Sequence, residues 1–326
     1  MSRLVSALVF IFVAASHSAM ADVSGVLCVQ QQLTLSGYAP GPIDGQLGPA
    51  TLDSARAAAA ATKIDGAPEL SAESADEWCR RLSLLALPPN SGPVVLSDLK
   101  GDSPLLRRIR DGIAASQRFL NASGRVEVYA FRNTKFLAAF FAQATMDSDD
   151  NASAIWRSNW AVTDNSGVFI AAVHFQADLF AEKTAAHEYT HVWQNTLLGR
   201  DGLSASPDDT PFDAPVWLTE GTAEFVGYAA LGDAGNAAWE AAKRSIPKSA
   251  ADLSHMESWN DMSRTDHSYE IAHLAVSDLA DKTSVQKVIH DYWVARSKTT
   301  DPWQLTFTQV FGVSPEEFYA DFGSRN

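Results

Sequence analysis

The segment from residue 179 to 194 is the feature that most restricts the fold. It contains neither glycine nor proline and includes His187-Glu188-Tyr189-Thr190-His191, so we predict a helix here. Residues four apart share one face of a helix, and two imidazoles on that face can bind one Zn²⁺ at about 2.0–2.1 Å each. Two histidines on a polar helix face are the alternative interpretation.

A second segment supplies the ligand that two histidines lack. It reads Trp217-Leu218-Thr219-Glu220-Gly221-Thr222-Ala223-Glu224-Phe225, and 28 residues separate His191 from Glu220. Together the two segments resemble the gluzincins, zinc peptidases such as thermolysin whose third ligand is a glutamate. The resemblance implies one Zn²⁺ per chain bound by His187, His191 and Glu220, with Glu188 as the general base. Residues 192–202 contain no histidine, which disfavours zincins with a third histidine ligand.

The same resemblance implies functions for two further side chains. An acidic residue at the position of Glu224 accepts a hydrogen bond from the far nitrogen of the first histidine, here His187; a solvated carboxylate is the alternative. Tyr269 lies in a segment similar to the Tyr-x-x-Ala helix of this family, which implies a donor to the oxyanion of the transition state. His267 and His273 compete for that function, and a packed core tyrosine is the alternative.

Other expectations concern the surroundings of this site. Gly221 and Ala223 are small, and we expect them to let the two metal-bearing helices approach closely. The apolar run 168–173 predicts a strand. It is a candidate for the edge strand to which a peptide could add as a further strand, although the sequence does not show which strand is an edge. His174 follows that run and is a candidate to line the cleft.

From residue 94 to 326 the sequence mixes strand and helix signals. Residues 126–131 alternate polar and apolar and predict a strand, residues 134–144 predict a helix, and long helical stretches follow residue 179. Near the C-terminus, Gly312 and Ser314 predict the end of one short helix and the cap of the next. The fold class is therefore α+β. The gluzincin resemblance implies a zincin-like domain with a small mixed sheet, an active-site helix and a helical C-terminal half.

The first 21 residues are typical of a signal peptide. Arg3 precedes a short apolar run, and Ala19-Met20-Ala21 predicts cleavage after Ala21; an N-terminal membrane anchor is the alternative. We expect the mature chain to be periplasmic or secreted, with no later stretch long enough to span a membrane. An oxidising compartment makes a Cys28–Cys79 disulfide the preferred interpretation over two buried thiols.

Residues 22–87 predict a module of three short helices, followed by a linker at 88–93 (Pro-Pro-Asn-Ser-Gly-Pro). The segments around Gln30-Gln31-Gln32-Leu33 and Asp44-Gly45-Gln46-Leu47-Gly48 resemble the peptidoglycan-binding module. That resemblance implies attachment to cell wall, although related folds also serve as pro-segments. A small bundle that only packs on its neighbour is the alternative.

Composition narrows the possible partners. The formal net charge is −14 and the pI about 4.9, which argues against nucleic-acid binding, because neutralising phosphates requires a basic face. The sequence as a whole predicts an exported zinc metallopeptidase with a peptide or protein substrate. The alternatives are a non-enzymatic wall-binding protein with a structural or degenerate zinc site, and an amidase acting on peptidoglycan stem peptides.

Overall fold

The computed structural model describes residues 25–62, 69–85, 92–145, 161–163, 167–199, 214–247 and 252–325. The signal peptide and cleavage site that the sequence predicts lie outside these residues. Among the helices that are described, none is both long and apolar enough to cross a bilayer.

The N-terminal part contains helices α1 (residues 25–35), α2 (Pro49–Thr62) and α3 (Ala75–Leu82). Helix α2 begins two residues before Thr51, which we expected to be its N-cap, because Pro49 fits the first turn of a helix. The Thr51 hydroxyl instead donates to the carbonyl of Pro40 at 2.9 Å. Cys28 and Cys79 form the predicted disulfide, which joins α1 to α3 across a Cα–Cα distance of 5.5 Å.

The described strands form a four-stranded mixed sheet in the order β1-β2-β4-β3. They are β1 (Pro93–Leu96), β2 (Val126–Phe131), β3 (Ala161–Thr163) and β4 (Gly167–Ala171). Strands β1, β2 and β4 run parallel, and β3 pairs antiparallel with β4. Strand β2 confirms the prediction for residues 126–131. The predicted strand at 168–173 ends at Ala171, because residues 172–174 turn into a 3₁₀-helix.

Strand β4, the candidate for an edge that could accept a peptide strand, is not an edge of the sheet. It is hydrogen-bonded to β2 on one side and to β3 on the other, so its backbone has no side available for an added strand. Among the described strands, β3 is the edge on this side of the sheet.

Each face of the sheet is covered by helices. Helices α4 (Pro104–Phe119) and α6 (Leu179–Leu198) pack with the apolar cluster on one face, and α5 (Thr134–Thr145) packs with the cluster on the other. Strand alternation explains this division, because Val126, Val128 and Ala130 belong to the first cluster while Tyr129 and Phe131 belong to the second. Helix α5 confirms the helix predicted at 134–144.

Helices α4 and α6 approach closely at a glycine. A Cβ atom added at Gly112 would lie 2.1 Å from the backbone oxygen of Glu182, so only glycine fits at this crossing. One turn further along α4, the hydroxyl of Ser116 lies 3.4 Å from that of Thr190 on α6. Helix α6 is thus packed closely between α4 and the sheet.

Helix α1 and the loop after it cover the second face of the sheet beside α5. Leu27, Leu35 and Ile43 are buried in the same cluster as the strand side chains. The backbone N–H of Ile43 donates to the carbonyl of Ser97 at 2.7 Å. These contacts make α1 and the loop after it part of the layer that covers the sheet. Pro93, which we placed in the linker, is already the first residue of β1.

The C-terminal half is helical among the residues described. Its elements are α7 (Val216–Ala229), α8 (Gly232–Lys243), α9 (Trp259–Met262), α10 (Ser268–Lys282), a π-helical turn (Lys287–Asp291), α11 (Tyr292–Arg296), α12 (Trp303–Phe311) and α13 (Pro315–Arg325). Gly312 ends α12 at φ 80°, as predicted. Ser314 caps α13 as predicted, since its hydroxyl accepts from the N–H of Glu317, whose carboxylate accepts from the Ser314 N–H. A mostly helical chain with one small mixed sheet is consistent with the α+β class.

Candidate metal centre

Helix α6 carries both histidines, and its two ends are well defined. At the N-terminus the carboxylate of Asp178 accepts from the N–H of Ala181 at 3.3 Å, and Gly199 ends the helix in the left-handed region at φ 65°. The helix therefore begins where the sequence predicts and extends one turn past Gln194. His187 and His191 fall on the same face, with ring centroids 4.8 Å apart.

Glu220 on α7 meets the two histidines. Nε2 of His187 lies 3.2 Å from Oε2 of Glu220, Nε2 of His191 lies 3.3 Å from Oε1, and the two Nε2 atoms are 3.0 Å apart. A tetrahedral ion with bonds of about 2.0–2.1 Å holds its ligand atoms about 3.3–3.4 Å apart. The donor set and its spacing therefore fit one Zn²⁺ and leave a coordination position for water.

The buried charge of the site also fits a divalent cation. The carboxylates of Glu188, Glu220 and Glu224 are buried, and the ammonium of Lys183 lies 2.5 Å from Glu224. Three negative charges and one positive charge leave −2 in this part of the site when the imidazoles are neutral. Such an excess buried without a counter-ion is costly.

Without a metal ion, protons on the two histidines supply the positive charge that the site lacks. Burial alone lowers the pKa of His187, but the carboxylates of Glu220 and Glu224 outweigh burial and raise that pKa to about 10. The pKa of His191 is also raised, because Glu220 outweighs its burial. Burial would raise the pKa of Glu220, yet the two imidazoles lower it to about 2. A metal ion that binds here displaces protons from the histidines.

Each imidazole has a side-chain oxygen beside its far nitrogen. Nδ1 of His187 lies 3.1 Å from Oε1 of Glu224, near enough for an ion pair but without a hydrogen bond, whereas the gluzincin resemblance implies a hydrogen bond here. Nδ1 of His191 lies 2.9 Å from Oε1 of Gln194, whose amide in turn donates to the carbonyl of Thr219 at 3.3 Å. Such partners fix the ring orientation and tautomer of a metal-binding histidine. The sequence interpretation did not identify Gln194 as a partner of His191. Its position three residues after His191 could have indicated one, because residues three apart are neighbours on a helix.

Glu188 is held from the sheet side. The hydroxyl of Thr163 in β3 donates to Oε2 of Glu188 at 2.7 Å and lies 3.1 Å from the Glu188 carbonyl. Both residues are buried. One carboxylate oxygen is thus held by Thr163, which restricts the rotation of the Glu188 side chain. No sequence signal marked Thr163, because it lies 25 residues before its partner.

Of the three candidate oxyanion donors, Tyr269 has a ring contact with the site. Its centroid lies 6.2 Å from that of His187, and the residue is 41% exposed. Burial of the phenol and the carboxylates around it raise the pKa of Tyr269, so it remains a neutral hydrogen-bond donor. His267 is exposed at the N-cap of α10, with a left-handed φ of 58°.

His273 faces a different environment. It is buried, and its ring stacks on Trp239 with centroids 3.6 Å apart. Burial lowers the pKa of His273 to about 3, so it is neutral near pH 7. His174 is exposed at the end of the 3₁₀-helix after β4, and it is not part of the metal cluster formed by the described residues.

The close helix approach at Gly221 differs from our expectation. A Cβ atom at Gly221 would lie 2.4 Å from the backbone oxygen of Ala272 and 2.8 Å from Val276, both on α10. Gly221 therefore brings α7 against the helix that carries Tyr269, not against α6. The contact with α6 occurs at Gly227, where a Cβ atom would lie 3.2 Å from the Lys183 carbonyl.

Comparison with known protein families matches residues 181–304 to the model of the M61 glycyl aminopeptidases. The matched range is less than half of the chain, and it includes both histidines, Glu188, Glu220 and Tyr269. This similarity suggests a peptidase. Searches of curated proteins and of solved structures found no match.

Proposed function

We propose that this chain is a zinc-dependent peptidase that hydrolyses peptide bonds of a peptide or protein substrate. The observation that carries the proposal is the cluster of His187, His191 and Glu220, whose facing ligand atoms lie 3.0–3.3 Å apart. The similarity to M61 glycyl aminopeptidases over residues 181–304 supports the same reaction class. Bound Zn²⁺ supplies a Lewis acid that acidifies water and polarises the scissile carbonyl.

The residues of the chain would then act as follows. Glu188, fixed on one side by Thr163, accepts a proton from the attacking water and delivers it to the leaving amine. Tyr269 donates a hydrogen bond to the oxyanion of the transition state. Glu224 and Gln194 keep the Nε2 atoms of the two histidines directed at Glu220.

Zinc content of the purified chain tests this proposal. We expect about one zinc per chain in the wild type and a loss of at least tenfold in affinity in Glu220→Ala, since two imidazoles alone make an incomplete site. Glu127→Ala is a matched control, because Glu127 is a partly buried glutamate on β2 whose carboxylate accepts from the Tyr129 hydroxyl at 2.7 Å and takes no part in the metal cluster. A folded wild type that takes up no zinc after reconstitution would refute the proposal.

Export and wall binding are separate proposals. The Cys28–Cys79 disulfide supports export to an oxidising compartment, and the N-terminal sequence supports a cleaved signal peptide. Wall binding rests on the resemblance of residues 22–87 to peptidoglycan-binding modules. The motif residue Gln30 accepts from the N–H groups of Asp44 and Gly45, so its function in the fold is to hold the loop.

Cosedimentation with purified sacculi tests wall binding. If the module binds wall, the mature chain will pellet with sacculi even when Glu188→Gln removes catalysis. A chain that stays in the supernatant, as an unrelated protein of similar charge does, would rule wall binding out.

A digest of sacculi beside casein separates a peptidase from an amidase. If the chain cleaves casein but releases no new amines from sacculi, it is a peptidase and not an amidase acting on peptidoglycan stem peptides.

A further inference from the structure

Lys183 is a largely buried cation next to the proposed metal centre. It lies one turn before His187 on α6, and its side chain is 13% exposed. Its ammonium lies 2.5 Å from Oε1 of Glu224, the same oxygen that lies 3.1 Å from Nδ1 of His187. Lys183 and His187 thus meet at one carboxylate oxygen.

The packing of α7 against α6 creates this arrangement. Gly227 has no side chain, and a Cβ atom there would already touch the carbonyl and Cγ of Lys183 at 3.2 and 3.5 Å. The lysine stem is therefore confined between the helices. Its ammonium also lies 5.0 Å from the ring centroid of Tyr228 and 6.0 Å from that of Phe180, distances suited to cation–π attraction.

Confinement distinguishes this pair from a surface salt bridge. Exposed ion pairs contribute little, because water screens them and the side chains remain free to move. Lys183 and Glu224 are both shielded from water, and removing one partner of a buried pair leaves an uncompensated charge. The position of the Glu224 carboxylate consequently depends on Lys183.

We propose that Lys183 is a positioning residue of the metal centre: its ammonium fixes the Glu224 carboxylate, which orients His187. This inference rests on the proposed function, because it assumes that His187 binds Zn²⁺. Lys183 acts through Glu224, because its ammonium pairs with that carboxylate and Lys183 is not one of the three residues of the cluster. Its contribution therefore disappears once the Glu224 carboxylate is gone.

A double-mutant cycle on the full mature chain tests this inference, with Zn²⁺ alone as the probe. The dissociation constant is measured by competition with a chromophoric chelator for the wild type, Lys183→Met, Glu224→Gln and the double variant. We expect Lys183→Met to weaken zinc binding at least tenfold, the usual effect of losing a partner behind a metal ligand. In the Glu224→Gln background the same substitution should change the constant less than threefold.

Lys282→Met is a matched control. Lys282 also pairs with two carboxylates, Asp278 and Asp321, and lies 5.4 Å from the ring centroid of Phe318, away from the metal cluster. We expect its substitution to leave the zinc dissociation constant unchanged. The comparison separates the loss of a paired lysine in general from the loss of Lys183.

The outcomes are distinct. If the wild type binds no zinc, the proposed function fails and the inference with it. If the wild type binds zinc and Lys183→Met binds it equally or more tightly, or if the losses in the cycle add, the inference alone is overturned. Should Lys183→Met not fold, the double variant, which removes both charges together, still decides: affinity matching Glu224→Gln supports the inference, and a further tenfold loss contradicts it.

Discussion

Replacing Glu188 with glutamine will leave zinc bound and reduce peptide hydrolysis by about 10²–10⁴-fold, the usual contribution of a general base. Glutamine has nearly the same volume as glutamate, and its amide oxygen can still accept from the Thr163 hydroxyl, which lies 2.7 Å from Glu188 Oε2. The three metal ligands are unchanged. What the variant lacks is a group that accepts a proton from the attacking water.

Two measurements on the same sample decide this prediction. Elemental analysis gives the zinc content, and casein cleavage gives the rate. Glu182→Gln serves as the control, since Glu182 lies on the same helix but pairs with Arg108 on α4. Hydrolysis at the wild-type rate by zinc-loaded Glu188→Gln would show that another residue is the base.

Replacing Gly221 with alanine will destabilise the fold by about 1–3 kcal/mol, the usual cost of an overpacked contact. The new methyl group would lie 2.4 Å from the Ala272 oxygen and 2.8 Å from Val276, so α7 and α10 must separate. In a helix, alanine is more favourable than glycine by up to about 1 kcal/mol. We expect the overpacking to outweigh that gain, so that the free energy of unfolding still falls. Because α7 carries Glu220 and α10 carries Tyr269, activity should fall as well.

Chemical denaturation of the metal-free wild type and the metal-free Gly221→Ala variant measures the change in the free energy of unfolding without a contribution from zinc. Gly101→Ala is the control, because a Cβ atom at Gly101 meets no atom within 4 Å and its φ is not in the left-handed region. Equal stability of Gly221→Ala and wild type would mean that the two helices separate at little cost.

Local patterns in the sequence predicted the parts of the site that lie within one turn of a helix. The spacing of His187 and His191 predicted a shared face, and the structure places them there. The pairings that the sequence interpretation missed mostly join distant positions: Thr163 lies 25 residues before Glu188, and Lys183, although one turn before His187, pairs with Glu224 41 residues later. Pairs of this kind have no periodic signal, because tertiary packing alone brings them together.

The sheet shows the same limit. Residues 126–131 alternate in polarity because one face of β2 meets α4 and α6 while the other meets α5, and alternation is visible in a sequence. The order of the strands is not visible in a sequence. Strand β3 pairs with the side of β4 that β2 leaves open, and a strand that is flanked on both sides and covered on both faces is apolar throughout, as β4 is.

The way α1 covers the sheet has a consequence for inheritance. Modules that shuffle freely between proteins are closed units whose own surfaces are complete when the neighbour is removed. Here Leu27, Leu35 and Ile43 complete, beside α5, the cluster around Phe131, so a gene that lost residues 22–91 would encode a sheet with part of one face open to water. Recombination at this boundary is thus penalised by aggregation, and descendants of this chain should keep or lose both parts together.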